Sequence, residues 1–214
     1  MNSVDIGRLV LVLVVAALVL RWNLWRAVLC LRPEAMRVEA DAPADQAKPP
    51  TALASREAEL LALGFVRLGS HTERPPLGAA QLSFDYVHPA ERTFATLYGN
   101  ARGQPRLYFF TPTANGGFVI TADHRRPARE EPGRYLSGAM DDVNSDRVFK
   151  AHLRRLPEVG PPADALTHDA RLAAGRAWYQ GAGRHEVRQQ NALGLLWTLG
   201  SLGMVGAMLV KVSS

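Results

Sequence analysis

Two short acidic segments hold the residues that could do chemistry in this chain. Asp123-His124 follows an apolar, β-branched run, and a carboxylate beside a histidine can orient a general base. Such a pair works only through spatial contact with further groups, so the dipeptide alone fits a polar strand end equally well. We treat it as an alternative, catalytic site.

The second segment, residues 141–146, is the densest group of acids in the sequence. Asp141, Asp142 and Asp146 could hold Mg²⁺ or Ca²⁺, but the spacing and the glycine of an EF-hand loop are missing. Acids just before and within the first turn of a helix are also favoured by the helix dipole. The segment therefore predicts a helix start, and a metal site only as an alternative.

Other familiar motifs are missing from the sequence. It has one cysteine, Cys30, and it lacks a nucleophile elbow, a phosphate-binding glycine loop and cysteines at zinc spacing. We therefore expect no cofactor. Four aromatic residues, Tyr108, Phe109, Phe110 and Phe118, could line a pocket for an apolar ligand, although aromatics on neighbouring strands more often form plain core.

The charge distribution argues against a nucleic-acid partner. The chain of 214 residues carries a net charge of +5, yet residues 40–190 hold 19 basic against 17 acidic side chains. Much of the excess lies in the N-terminal flank, beside an apolar run. Arginines that border a membrane segment explain the basic balance better than a nucleic-acid stripe does.

The apolar run from Leu9 to Leu20 predicts a membrane anchor over residues 4–31. Arg21, Trp22, Trp25 and Arg26 follow it, and no small-residue cleavage site comes after it, so we expect a retained helix rather than a removed signal. These four side chains are typical of a membrane–water interface. Residues 21–31 either continue the span or lie along the membrane surface.

A second span is predicted over residues 190–211, because Ala192–Val210 contains no charge and is long enough to cross a bilayer. Gly200, Gly203 and Ala207 recur at helical spacing and form one stripe of small residues. Such a stripe lets another helix approach closely, so we expect it to pack against the first span or a partner.

The arginines also predict the orientation of the chain. Arg21, Arg26 and Arg32 follow the first span, and Arg184 and Arg188 precede the second. Because positive flanks stay inside, we expect two spans in the cell (inner) membrane, with the central domain cytoplasmic and both termini outside.

The middle of the chain predicts an α+β domain over residues 54–186, after a Pro- and charge-rich linker over 32–53. Alternating apolar residues and turn signals predict an antiparallel meander of four to five strands, at about 65–68, 82–88, 93–98, 106–111 and 118–122. The fully apolar strand near Phe109 should be central and covered on both sides. Helices are expected after Ser55, after Asn144 or Ser145 and from Pro161-Pro162, packed on one face of the sheet.

These features predict an integral membrane protein whose cytoplasmic domain binds another protein, as an accessory or scaffold subunit. The expected partners are the lipid bilayer and either another membrane protein or a second copy through the C-terminal helix. The alternative is a membrane-tethered enzyme or apolar-ligand-binding module that uses Asp123 and His124 or the 141–146 region.

Overall fold

The computed structural model describes residues 3–141 and 143–213. Within those residues the chain forms five α-helices and a single sheet of eight strands. In chain order the elements are α1 (Ser3–Leu31), β1 (Arg37–Pro43), α2 (Ala54–Ala62), β2 (Val66–Arg74), β3 (Gln81–His88), β4 (Thr93–Gly99), β5 (Pro105–Pro112), β6 (Phe118–Ala122), β7 (Arg129–Glu131), β8 (Tyr135–Ala139), α3 (Ser145–Arg155), α4 (His168–Gln180) and α5 (Arg184–Ser213).

The chain divides into two compact units. The helical unit comprises the residues up to Met36, the short segment Pro75–Ala79 and the residues from Arg184 onward. The sheet unit comprises Arg37–Arg74 and Ala80–Gly183.

The sheet is mostly antiparallel, with strand order β1-β2-β3-β4-β5-β6-β8-β7, and only the β6–β8 pair is parallel among the described strands. Strands β2 to β6 form the predicted meander, and an α+β fold is confirmed. The predicted number of four to five strands was wrong, because β1, β7 and β8 add to both ends of the meander. β1 lies within the predicted linker, and β7 and β8 lie in the mostly charged segment after β6. All three strands form through pairing with neighbouring strands, since they lack a clear alternating pattern of their own.

Helices cover both faces of the sheet, which corrects the prediction of one covered face. Alternate residues of β3 point to opposite faces: Phe84 and Tyr86 join an apolar core with α3 residues, whereas Asp85 between them contacts Arg171 of α4. The central strand β5 follows the same rule, and its predicted coverage on both sides is confirmed. Phe109 joins the α3 core, and the hydroxyl of Tyr108 accepts a hydrogen bond from Arg171.

Side-chain capping sets the starts of α3 and α4. The side chain of Asn144 accepts a hydrogen bond from the backbone N–H of Arg147 at the start of α3, as predicted. α4 begins at His168, capped by Thr167, and not at Pro161-Pro162 as expected. Pro162 instead makes an antiparallel bridge with Thr113, which keeps this segment extended.

In the helical unit, α1 and α5 lie side by side and run antiparallel. Arg26 Nη2 donates to the carbonyl oxygen of Gln190 at 3.1 Å, and Arg184 pairs with Glu34 at 3.3 Å. Both helices are long and apolar enough to cross a membrane. Residues 21–31 continue α1 without a break.

Candidate functional site

The structure joins Asp123 and His124 to a third group, Tyr98. Asp123 is buried, and its Oδ1 lies 3.0 Å from His124 Nδ1 and accepts a hydrogen bond of 2.9 Å from the backbone N–H of Leu107. His124 Nε2 lies 3.1 Å from the hydroxyl oxygen of Tyr98. An aspartate thus orients a histidine that contacts a phenol.

This triad is better suited to holding a strand end than to nucleophilic attack. Burial raises the pKa of Tyr98 well above its ordinary value, and the neighbouring Tyr108 and Glu73 raise it further. This environment favours the neutral phenol of Tyr98 over the phenolate that a nucleophile would need. His124 remains partly exposed.

The acidic segment before α3 does not converge on one point. Asp146 pairs with Lys150 at 2.8 Å on the exposed surface of α3, and Asp141 lies in an exposed turn. Asp142 lies outside the described residues. Among the described residues, no group of three or more acids, histidines or cysteines could hold a metal ion. The predicted role in starting a helix agrees with this geometry.

A buried polar network that the sequence analysis missed lies between the sheet and α4. At its centre is Asp85, which is fully buried. Its Oδ2 lies 2.5 Å from His71 Nδ1 and 3.3 Å from His168 Nε2. Its Oδ1 accepts a hydrogen bond of 2.7 Å from Thr96 and lies 3.3 Å from Nε of Arg171, which is also buried.

The backbone makes room for His168 in this network. Gly69 lies at a β-bulge of β2 and has a φ of +152°, in a region that side chains rarely adopt. A Cβ there would lie 2.7 Å from the carbonyl oxygen of Ala42 and 2.9 Å from Cε1 of His168. Glycine at position 69 therefore lets α4 bring His168 against Asp85.

The network extends from Asp85 to a second carboxylate, Glu73. His71 Nε2 is buried and lies 3.6 Å from Glu73 Oε1, an ion-pair distance beyond hydrogen-bonding range. Glu73 Oε2 accepts a hydrogen bond of 3.0 Å from the hydroxyl of Tyr179 on α4. Glu73 and His168 are partly exposed, so the network meets solvent at both ends.

Its charges compensate one another. Burial alone lowers the pKa of His71, but the Asp85 carboxylate outweighs it and raises that pKa to about 8. Burial likewise raises the pKa of Asp85, yet Arg171 and His71 hold it far below its ordinary value. At neutral pH two cations therefore face two carboxylates, and the network holds α4 against the sheet.

A weak sequence signal for this network existed. His71 and Asp85 each lie in a strand of a sheet that is covered on both faces, where apolar residues are expected. Arg171 is a charged residue on the buried face of α4, beside Gly175 and Trp178. Their association depends on the pairing of β2 with β3 and on the placement of α4, which no local spacing encodes.

The aromatic residues proposed as a ligand pocket pack against protein groups. Phe109 lies in the α3 core, whereas Phe110 and Phe118 stack at 5.5 Å between ring centroids. Arg171 lies 5.0 Å above the Phe110 ring. These contacts account for the four aromatics as core, and ligand binding stays a prediction.

The small-residue stripe of α5 does not contact α1. A Cβ at Gly200 or Gly203 would meet nothing within 4 Å, and Ala207 is exposed. α5 instead packs on α1 through a different stripe, formed by Asn191, Gly194, Thr198 and Ser201. The predicted stripe therefore faces away from the first helix, and its packing against a partner stays a prediction.

The residues predicted for the membrane interface lie together along α1. Trp22 is 70 % exposed, and the guanidinium of Arg26 lies 6.0 Å from the Trp25 ring centroid. Arg21 is exposed one turn before Trp25. In this arrangement Trp22 and Arg21 are exposed to whatever surrounds the helix, either lipid or water.

The fold and these sites define an α+β protein with a buried ion network and a pair of long apolar helices. No protein family, curated protein or solved structure matches this chain significantly.

Proposed function

We propose that this chain is an integral membrane protein with two spans, α1 and α5, in the cell (inner) membrane. Its α+β domain lies in the cytoplasm and binds another protein, so the chain serves as an accessory or scaffold subunit of a membrane complex. The termini lie outside.

The supporting observation is the apolar outer surface of the helical unit. Few residues of the two apolar stretches are buried, unlike a core helix of a soluble protein. Leu11, Leu18, Leu196 and Trp197 are each more than half exposed. A continuous apolar surface of this size needs lipid or another protein to cover it.

The small-residue stripe supports a protein partner within the membrane. Gly200 and Gly203 lie on the side of α5 turned away from α1, where no other part of the described chain covers them. In lipid, helices associate where small residues let their backbones approach. The partner is another membrane protein or a second copy of this chain.

A pair of glycine variants tests this partner. Gly203→Leu fills the stripe, and Gly7→Leu adds the same side chain to a glycine that also has open space but lies on the other helix, α1. After extraction in mild detergent at native expression, we expect Gly203→Leu to lose the complex seen for the wild type by size and mass. Gly7→Leu should keep it.

Equal behaviour of the two variants, or a wild type that is monomeric and alone, would contradict the subunit proposal. Measuring helix content by circular dichroism for both variants shows that a loss of assembly is not a loss of folding.

One observation favours the enzyme alternative, namely the contact of His124 with both Asp123 and Tyr98. If this triad is catalytic, His124→Ala abolishes function while the melting temperature stays unchanged. If the triad is structural, the same change lowers the melting temperature and leaves the assembly intact.

A further inference from the structure

The β2–β3 hairpin ends in a tip with no charged residue, Pro75-Pro76-Leu77-Gly78-Ala79, which we call the hairpin tip. The backbone N–H of Gly78 donates to the carbonyl oxygen of Pro75 at 3.3 Å and closes a turn. These residues group with α1 and α5 in the helical unit rather than with the strands that carry them.

Leu77 occupies an unfavourable position in this turn. Its φ is 61°, a left-handed conformation that glycine or asparagine normally takes at the third position of such a turn. Its side chain is also 76 % exposed, the largest exposure among the exposed large apolar residues of the described chain. A turn that needs only to reverse the chain favours glycine or asparagine at this position.

The tip contacts α1 just beyond the apolar run. A Cβ at Gly78 would lie 3.3 Å from Cγ of the Trp25 indole, so the turn backbone packs on that ring. Trp25 follows Leu9–Leu20 along α1, and its neighbour Arg26 bonds to Gln190, just before the apolar stretch of α5. The tip therefore lies beside the ends of both apolar stretches.

We propose that the hairpin tip is a third membrane contact, in which Leu77 inserts between lipid headgroups and the upper acyl chains. This rests on the proposed membrane location of α1 and α5. The tip has the chemistry of that layer: an exposed leucine, two prolines that leave few backbone N–H groups to satisfy, and the indole of Trp25 beside it, a side-chain type that prefers the interface. Arg74, which precedes the tip in sequence and is exposed, suits anionic headgroups.

Insertion explains the strained leucine. An apolar side chain at the apex of the turn gains from contact with acyl chains, and this gain offsets the unfavourable φ. A partner protein at the tip is the competing occupant, and the continuity of the tip with Trp25 at the ends of the apolar stretches favours lipid.

Site-directed fluorescence on the full chain in liposomes tests the inference. Cys30→Ser removes the native thiol and keeps a group able to donate to the carbonyl oxygen of Arg188, as the thiol does. In that background an environment-sensitive probe is placed at Leu77→Cys, at Leu18→Cys within the apolar run of α1, and at Arg102→Cys on the exposed β4–β5 turn. Liposomes of phosphatidylcholine with phosphatidylglycerol contain lipids with a spin-label quencher near the headgroup or deep in the acyl chain.

We expect the emission of the Leu77 probe to be blue-shifted. The shallow lipid quencher should reduce this emission more than the deep one does. The Leu18 probe should be quenched by the deep lipid, and the Arg102 probe only by aqueous iodide.

Iodide quenching of the Leu77 probe without lipid quenching, while the Leu18 probe responds to lipid, would overturn the tip proposal and leave the spans intact. A Leu77 probe shielded from both quenchers would point to a protein partner and overturn it as well. A Leu18 probe without lipid quenching would instead refute the proposed membrane location itself.

Discussion

At the scale of single residues, two buried histidines have opposite electrostatic surroundings. Asp85 contacts His71 and raises its pKa to about 8. His152 lies between Thr111 and Thr121 with no acid in contact among the described residues, and burial together with the charge of Arg155 lowers its pKa to about 3. The first is a cation at neutral pH, and the second is neutral.

We predict that the protein is most stable near pH 6.5, the ordinary pKa of histidine. The raised pKa of His71 contributes stability that is fully present below about 6.5 and is lost as the pH rises from 6.5 through 8. The lowered pKa of His152 contributes stability that is present above about 6.5 and is lost as the pH falls toward 3. We call the two sides of this stability maximum the acidic arm, below pH 6.5, and the alkaline arm, above it. On each arm the free energy of unfolding changes by up to about 1.4 kcal/mol per pH unit.

Melting temperatures between pH 4 and 9 check this profile in detergent-solubilised protein. His71→Gln should flatten the alkaline arm and His152→Gln the acidic arm. An unchanged alkaline arm in His71→Gln would show that His71 is not charged in the fold.

The Asp85 carboxylate gives a second prediction at this scale. Asp85→Asn keeps the size of the side chain but leaves Arg171 and His71 with one carboxylate fewer, so we expect a loss of about 3–5 kcal/mol in the free energy of unfolding. The matched control is Asp146→Asn, which breaks the exposed pair with Lys150 and should cost less than about 1 kcal/mol. Urea unfolding of both variants measures the difference, and equal losses would contradict the buried charge network.

At the scale of elements, the close contact between α1 and α5 depends on one glycine. A Cβ at Gly194 would overlap Cβ of Arg26, since the two backbones approach closely there. The polar residues of the same stripe do not bridge the helices: Thr198 and Ser201 donate to carbonyl oxygens one turn earlier in α5. Along this stripe, packing of small side chains therefore holds the pair, and the hydrogen bonds from Arg26 and Cys30 to carbonyl oxygens of α5 lie outside the stripe.

We predict that Gly194→Leu separates α1 from α5, whereas Gly206→Leu on the same helix does not. Disulfide crosslinking measures this, using the native Cys30 with a cysteine at Arg188, whose carbonyl oxygen accepts from the Cys30 thiol at 3.5 Å. Crosslinking should fall strongly in Gly194→Leu alone. Equal crosslinking in both variants would show that the pair does not need glycine at position 194.

At the scale of the whole molecule, the charge beside the two apolar helices predicts the orientation of the proposed membrane protein. Arg21, Arg26 and Arg32 follow the apolar run of α1, and Arg184 and Arg188 precede that of α5. The antiparallel pairing of the helices gathers these arginines at one end of the helical unit. Both helices thus favour the same orientation.

We predict that a reporter fused after Ser214 lies outside the cytoplasm, so that only a reporter type that works there is active. The same reporter inserted at Gly103, in an exposed turn with open space, should report the cytoplasm. Paired alkaline phosphatase and fluorescent fusions at the two positions measure this. A cytoplasmic signal at Ser214 would refute the proposed topology.

Much of the secondary structure could be predicted from the sequence because local patterns encode it. The long apolar helices, the alternation in β3 and β4 and the Asn144 cap depend on residues close together in the chain. The helix starting at His168 was placed too early because Pro162 pairs with Thr113, a contact across 49 positions that no local rule contains.

The sequence by itself determined the two apolar helices, the meander and the charge asymmetry, because periodicity and composition act within a few turns. Tertiary structure alone decided the three added strands, the helix on the second face of the sheet and the side of α5 that packs on α1. It also decided the network of His71, Asp85 and Arg171, whose members come from three elements. Buried charges are stable only beside distant partners, so their role follows from the pairing of strands and helices rather than from their own neighbours.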